Sequence, residues 1–116
     1  MIMTEETKES VSITFMSGPY DGEEQFLNQM PVTLGRELHH PVGLFYDLLV
    51  SRNHAKIDLD ETGYWLEDTQ STNGTLLNEK KIKGKIRLAS GDVLQLGNTC
   101  LKFVIHPKGP EERPAE

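Results

Sequence analysis

Apolar residues in this chain recur at every second position in short runs, and turn-forming residues close each run within a few positions. Strand side chains alternate between two faces, so a period of two builds strands with one dry face. A helix needs apolar residues three and four apart instead. Val11, Ile13 and Phe15 alternate with Ser12, Thr14 and Met16 before Ser17-Gly18-Pro19. Ala55, Ile57 and Leu59 alternate with Lys56, Asp58 and Asp60, and Glu61-Thr62-Gly63 then turns the chain into a strand over 64–68. Leu94, Leu96, Leu101, Phe103 and Ile105 share one parity and are expected to point inward. The Gly97-Asn98 pair between them supplies the positive backbone angles of a tight hairpin. Shorter strands are expected over 26–28, 32–34, 75–77 and 85–88. No stretch carries the pattern of a long amphipathic helix. The expectation is an all-β sandwich of about ten to eleven short, mostly antiparallel strands. A helical turn has room only within 39–50, where 44–49 is apolar enough.

Those strands bound one domain over 11–106 within 116 residues, and a hydrophobic content of 36% supplies one modest core. The segments 1–10 and 107–116 are polar, acidic or proline-rich and are expected to be flexible tails, since they bury too little to offset ordering. A net charge of −6 argues against nucleic acid as partner, because backbone phosphates repel such a chain. A lone cysteine, Cys100, excludes an internal disulfide framework and fits a reducing compartment. No apolar run reaches membrane-spanning length and no signal peptide opens the chain, so a cytoplasmic location without membrane contact is expected. A monomer is the default by fold analogy.

Three loop segments carry polar residues too specific for mere turns: Gly35-Arg36, Ser51-Arg52-Asn53-His54, and Ser71-Thr72-Asn73-Gly74-Thr75 with Asn78 shortly after. In kind, order and approximate spacing they resemble the forkhead-associated family, over most of the body from Val32 to Phe103. The resemblance implies a forkhead-associated/SMAD-like sandwich with binding loops at one end. It also implies a module that binds phosphothreonine in a partner protein downstream of a serine/threonine kinase. A phosphomonoester near neutral pH carries most of two negative charges and three strong acceptor oxygens. A guanidinium matches those oxygens bidentately, and short hydroxyls rotate to the remaining lone pairs. Arg36, Ser51 and Thr72 supply that chemistry, with Arg52 as a second cation. By resemblance, the Asn73 carboxamide holds the peptide backbone. By the same resemblance, Gly35, His54, Gly74 and Asn78 support the site, His54 by tying neighbouring loops together. The family also implies preference for threonine over serine; a dry niche for its methyl is guessed near Leu49, Val50 and Leu76.

The same residues admit other readings. Ser51 and His54 with Asp68 could suggest a hydrolase, but no Gly-x-Ser-x-Gly elbow is present, so no catalytic residue is assigned and the chain is read as not an enzyme. His39, His40, His54 and His106 show no zinc-site spacing, and neither metal nor cofactor is expected. The competing function is a phosphate-independent interaction scaffold of the same fold. Lys80, Lys81, Lys83, Lys85 and Arg87 form a basic run, some of which would favour acidic residues C-terminal to the phosphothreonine, or else the run is a solvated hairpin face. His39 and His40 lie in the neighbouring connection and could add charge below about pH 6.5. Thr4 and Thr7 raise the idea of a phosphorylated tail that occupies its own site.

Overall fold

The computed structural model describes residues 9–107, so the tail threonines Thr4 and Thr7 lie outside the described residues. Eleven strands follow in chain order: β1 Ser10–Phe15, β2 Glu24–Phe26, β3 Val32–Gly35, β4 Val42–Gly43, β5 Ala55–Asp60 and β6 Gly63–Asp68, then β7 Thr75–Leu77, β8 Lys80–Lys81, β9 Lys85–Leu88, β10 Val93–Leu96 and β11 Thr99–His106. They form two sheets, ordered β2-β1-β11-β10-β7-β8 and β4-β3-β5-β6-β9. Every pairing is antiparallel except β3 with β4. The all-β sandwich expected from the alternation is the architecture observed.

The period-two faces close on one another. Ile13, Leu94, Leu96, Leu101 and Phe103 from the first sheet meet Leu34, Ile57 and Leu66 from the second, all fully buried. Tyr64 and Phe103 pack edge to face across the gap, with ring centroids 5.4 Å apart. Truncating a ring so enclosed as Phe103 costs about 3–5 kcal/mol. Ile105 is only partly buried, and Leu59 is exposed because its strand is already leaving the core for the Asp60 turn.

Turn chemistry sets the registers. Leu96 pairs with Thr99 across a two-residue loop in which Gly97 takes a φ of +59°, so one positive angle suffices, at Gly97 alone. Leu77 pairs with Lys80 across Asn78 and Glu79, both at positive φ, the geometry of a tight hairpin that matches strand twist. Two expectations need correction. The strand expected over 26–28 lies at Glu24–Phe26, because Leu27 turns inward and its N–H donates to the Val11 carbonyl. The 39–50 connection contains β4 and two successive tight turns, Asp47 N–H to Leu44 O and Val50 N–H to Asp47 O, in place of a helical turn. The cause is Asp47, whose buried carboxylate is drawn across to the β10–β11 hairpin.

Candidate functional site

Antiparallel order brings the loops after β3, before β5, between β6 and β7, and at the β10–β11 turn to one end of the sandwich. Gly35 closes β3 where a side chain has no room: a Cβ there would overlap the Arg52 carbonyl oxygen and lie 2.5 Å from His40 Nε2. That close approach sets Arg36 against the Ser51 segment. The Arg36 N–H donates to the Ser51 carbonyl at 3.0 Å, and its Nε donates to the Val50 carbonyl at 2.8 Å. The guanidinium is therefore fixed by one edge while the Nη edge stays available. It is half-buried and has no ion pair among the described residues.

Ser51 and Thr72 meet directly. The Thr72 N–H donates to Ser51 Oγ at 2.9 Å, which leaves the serine hydroxyl hydrogen free to donate outward. Below them lies His54, fully buried. Its Nδ1 accepts the Ser51 N–H at 2.9 Å, so that nitrogen is unprotonated. Its Nε2 then donates to the Gly74 carbonyl at 2.9 Å. One imidazole in one tautomer thus joins the Ser51 and Thr72 loops. Gly74, at φ +88°, takes a backbone conformation that other residues rarely adopt.

Asn73 Nδ2 donates to the Leu49 carbonyl at 2.9 Å, leaving Oδ1 as an outward acceptor. Arg52 and Thr72 are exposed at the same end. Asn78 is not there. It sits in the β7–β8 turn, where its carboxamide bonds the Asp92 carboxylate and the Val93 N–H at the other end of β7. His40 is buried, not a rim charge: Thr33 Oγ1 lies 2.8 Å from Nδ1, and the Arg52 carbonyl accepts from Nε2 at 2.6 Å. It holds the Arg52 backbone from beneath. Glu37, His39 and His40 bring potential ligand atoms within 4.8 Å, yet both His40 nitrogens are already engaged.

Two carboxylates that support the site were missed as such by the sequence reading, Asp68 having entered it only in the hydrolase alternative. Asp47 accepts from Leu49 N–H, Asn98 N–H and Thr99 Oγ1 at 3.0, 2.8 and 2.7 Å, pinning the segment that positions Leu49 for Asn73. Asp68 accepts from Ser71 Oγ, Thr75 Oγ1 and Ser71 N–H, and Ser71 Oγ accepts the Gly74 N–H. Burial would raise the Asp68 pKa, but the bonds from Ser71 and Thr75 outweigh it and hold the carboxyl below its usual range. The Asp68-x-x-Ser71 spacing was a usable signal. Asp47 gave none, since two of its three partners, Asn98 and Thr99, lie about fifty residues on. The hydrolase reading fails on geometry: His54 is committed to Ser51 N–H and Gly74 O, and Asp68 serves the 71–75 loop.

The basic run divides. Arg87 and Lys85 stack on the Trp65 ring, at 4.9 and 5.4 Å from its centroid, on the outer face of the five-stranded sheet. The aliphatic stem of Lys81 lies on Gly74, within the candidate site's own loop.

Comparison with known proteins places the fold in a family. The sequence model of the FHA domain matches residues 32–97. Glycogen accumulation regulator GarA of Mycobacterium tuberculosis is 33% identical over 104 residues, covering 89% of this chain and 62% of that protein. The chain therefore spans somewhat under two thirds of that relative. The oxoglutarate dehydrogenase inhibitor of Corynebacterium glutamicum is 31% identical over 100 residues, 84% of this chain and 67% of the relative. A solved FHA domain studied for phosphothreonine-dependent interactions superposes with a TM-score of 0.75 at 33% identity, covering 84% of this chain and 98% of that one. The FhaA FHA domain, solved with the intracellular domain of Rv3910, gives 0.71 at 32% identity, over 81% and 99% of the two chains. With the sandwich, the loop end and the matched segment in agreement, this chain belongs to the FHA domain family.

Proposed function

We propose that this FHA domain is a phosphothreonine-dependent peptide-binding module in serine/threonine-kinase signalling, acting in the cytoplasm by binding and not by turnover. Arg36, Ser51, Thr72 and Arg52 hold the phosphate, and Asn73 holds the peptide backbone through its outward Oδ1. The observation that carries this is the Arg36 guanidinium, anchored through Nε to the Val50 carbonyl with its Nη edge left over, beside a Ser51 hydroxyl whose oxygen is already occupied by Thr72 N–H. Donors whose orientation is set before the ligand arrives lose little entropy on binding, and a dianion needs such donors. A phosphate-independent scaffold has no use for that set.

The test is a titration with phosphothreonine, phosphoserine and unphosphorylated versions of a degenerate peptide pool, repeated with Arg36→Ala. Micromolar binding of the phosphothreonine pool, abolished in the variant, is expected. Removing the guanidinium leaves a desolvated dianion short of charge-assisted bonds worth several kcal/mol, ~1.5–3 for each. Equal binding of phosphorylated and unphosphorylated pools would overturn the reading.

A further inference from the structure

We infer that Lys81 selects the partner's sequence: it is placed to pair with an acidic side chain that flanks the phosphothreonine on the part of the peptide passing Asn73 and Gly74. This rests on the phosphothreonine reading above and names the class of peptide that the same site prefers. The geometry separates Lys81 from the other cations of its run. Lys81 pairs with Leu76 on β8, and a Cβ on Gly74 would collide with its Cε and stand 3.2 Å from its Nζ. The stem therefore lies flat on the loop next to Asn73, and the ammonium emerges at the rim.

The platform beneath the stem is held on three sides. Gly74 N–H donates to Ser71 Oγ, the Gly74 carbonyl accepts from His54, and the Ile82 N–H donates to the Thr75 carbonyl. Part of the rotamer entropy of a lysine is thus lost before a ligand arrives, which is the usual reason an exposed ion pair gains little. Lys81 also has no ion-pair or hydrogen-bond partner among the described residues, so its charge is available. Lys85 and Arg87 are engaged on Trp65, away from the loop. Lys80 shares the next rung with Leu77 and faces the opposite way. In a chain of net charge −6, an oriented cation beside Asn73 adds to the positive field of Arg36 and Arg52 on that side of the site.

The experiment uses an alanine-flanked phosphothreonine peptide and versions in which each flanking position in turn carries Glu. Binding is measured to the whole chain and to its Lys81→Met, Lys81→Glu and Lys80→Met variants. Met keeps the apolar stem on Gly74 and removes only the charge. We expect Glu at one or two adjacent positions on one side to raise affinity about three- to fivefold at low salt, with the gain fading at high salt. Lys81→Met abolishes that gain, Lys81→Glu turns it into a preference for Lys at the same position, and Lys80→Met leaves it intact. The alanine-flanked peptide binds all four proteins within a factor of about two. A Glu preference that survives Lys81→Met, or no Glu preference anywhere, overturns the assignment while leaving the phosphothreonine reading in place. If the alanine-flanked and Glu-bearing peptides bind no better than unphosphorylated ones, that reading and this one fall together.

Discussion

Replacing His54 tests how the loops are held. The ring is fully buried and is the sole side-chain link between the Ser51 N–H and the Gly74 carbonyl among the described residues. His54→Ala leaves both backbone groups without a partner, at about 1–3 kcal/mol each, and opens a cavity where the imidazole stood. The summed loss is about 3–6 kcal/mol, set against the ~5–15 kcal/mol that holds a typical domain together. His54→Asn is the milder variant: its Oδ1 still reaches the Ser51 N–H, but nothing reaches Gly74, so about 1–3 kcal/mol is lost. Urea unfolding followed by the fluorescence of the lone tryptophan, Trp65, reports both values by linear extrapolation. The Asn variant, which stays folded, should also bind phosphothreonine peptide more than about tenfold more weakly, because the Thr72 loop loses its register with Ser51. A loss below about 1 kcal/mol for His54→Ala, or undiminished peptide affinity for His54→Asn, would refute the argument that this imidazole sets the site.

Gly35→Ala forces a Cβ into the Arg52 carbonyl and the His40 ring, both backed by packed structure, and is expected to lower the unfolding midpoint sharply in urea. Asp47→Ala removes the acceptor of three hydrogen bonds and should cost about 2–4 kcal/mol, with the Asn98 amide showing faster hydrogen exchange. Asp68 has a lowered pKa, so its folded-state advantage is present above its unfolded value near 3.8 and is lost as pH falls through the folded value. Asp68→Asn should therefore flatten the stability–pH curve in that acid window while lowering stability at neutral pH; an unchanged slope would contradict the assignment.

The strands that read clearly were those whose own residues alternate. β5, β6, β10 and β11 bury one parity, and that parity is visible without knowing the partner strand. β4 and β8 were invisible for the opposite reason. Two residues cannot alternate, Lys80–Lys81 has no apolar member, and both strands exist only because a neighbour pairs with them. Leu59 shows the limit of the pattern itself, since its parity is inward but the strand end has left the core. At the candidate site, Arg36, Ser51, Thr72 and Asn73 were singled out by the order and spacing of their loop motifs, which resemble the family's, and the fold brings those loops to one end. Asp47 and His40 were not. Asp47 bonds across two strands, and His40 looked like surface charge until Thr33 and Arg52 claimed both its nitrogens. Asn78 was grouped with the site by the family resemblance, whereas here it is a left-handed turn residue whose carboxamide bonds Asp92 and Val93.

The most direct test of the central claim is to follow the backbone amides of the isotopically labelled domain as a phosphothreonine peptide is added. The account predicts that the largest shifts fall on Arg36, Ser51, Arg52, Thr72 and Asn73, with Asn78 and Trp65 nearly still. The unphosphorylated peptide should move none of them. Shifts centred on the Trp65 face, or equal shifts with and without the phosphate, would contradict it.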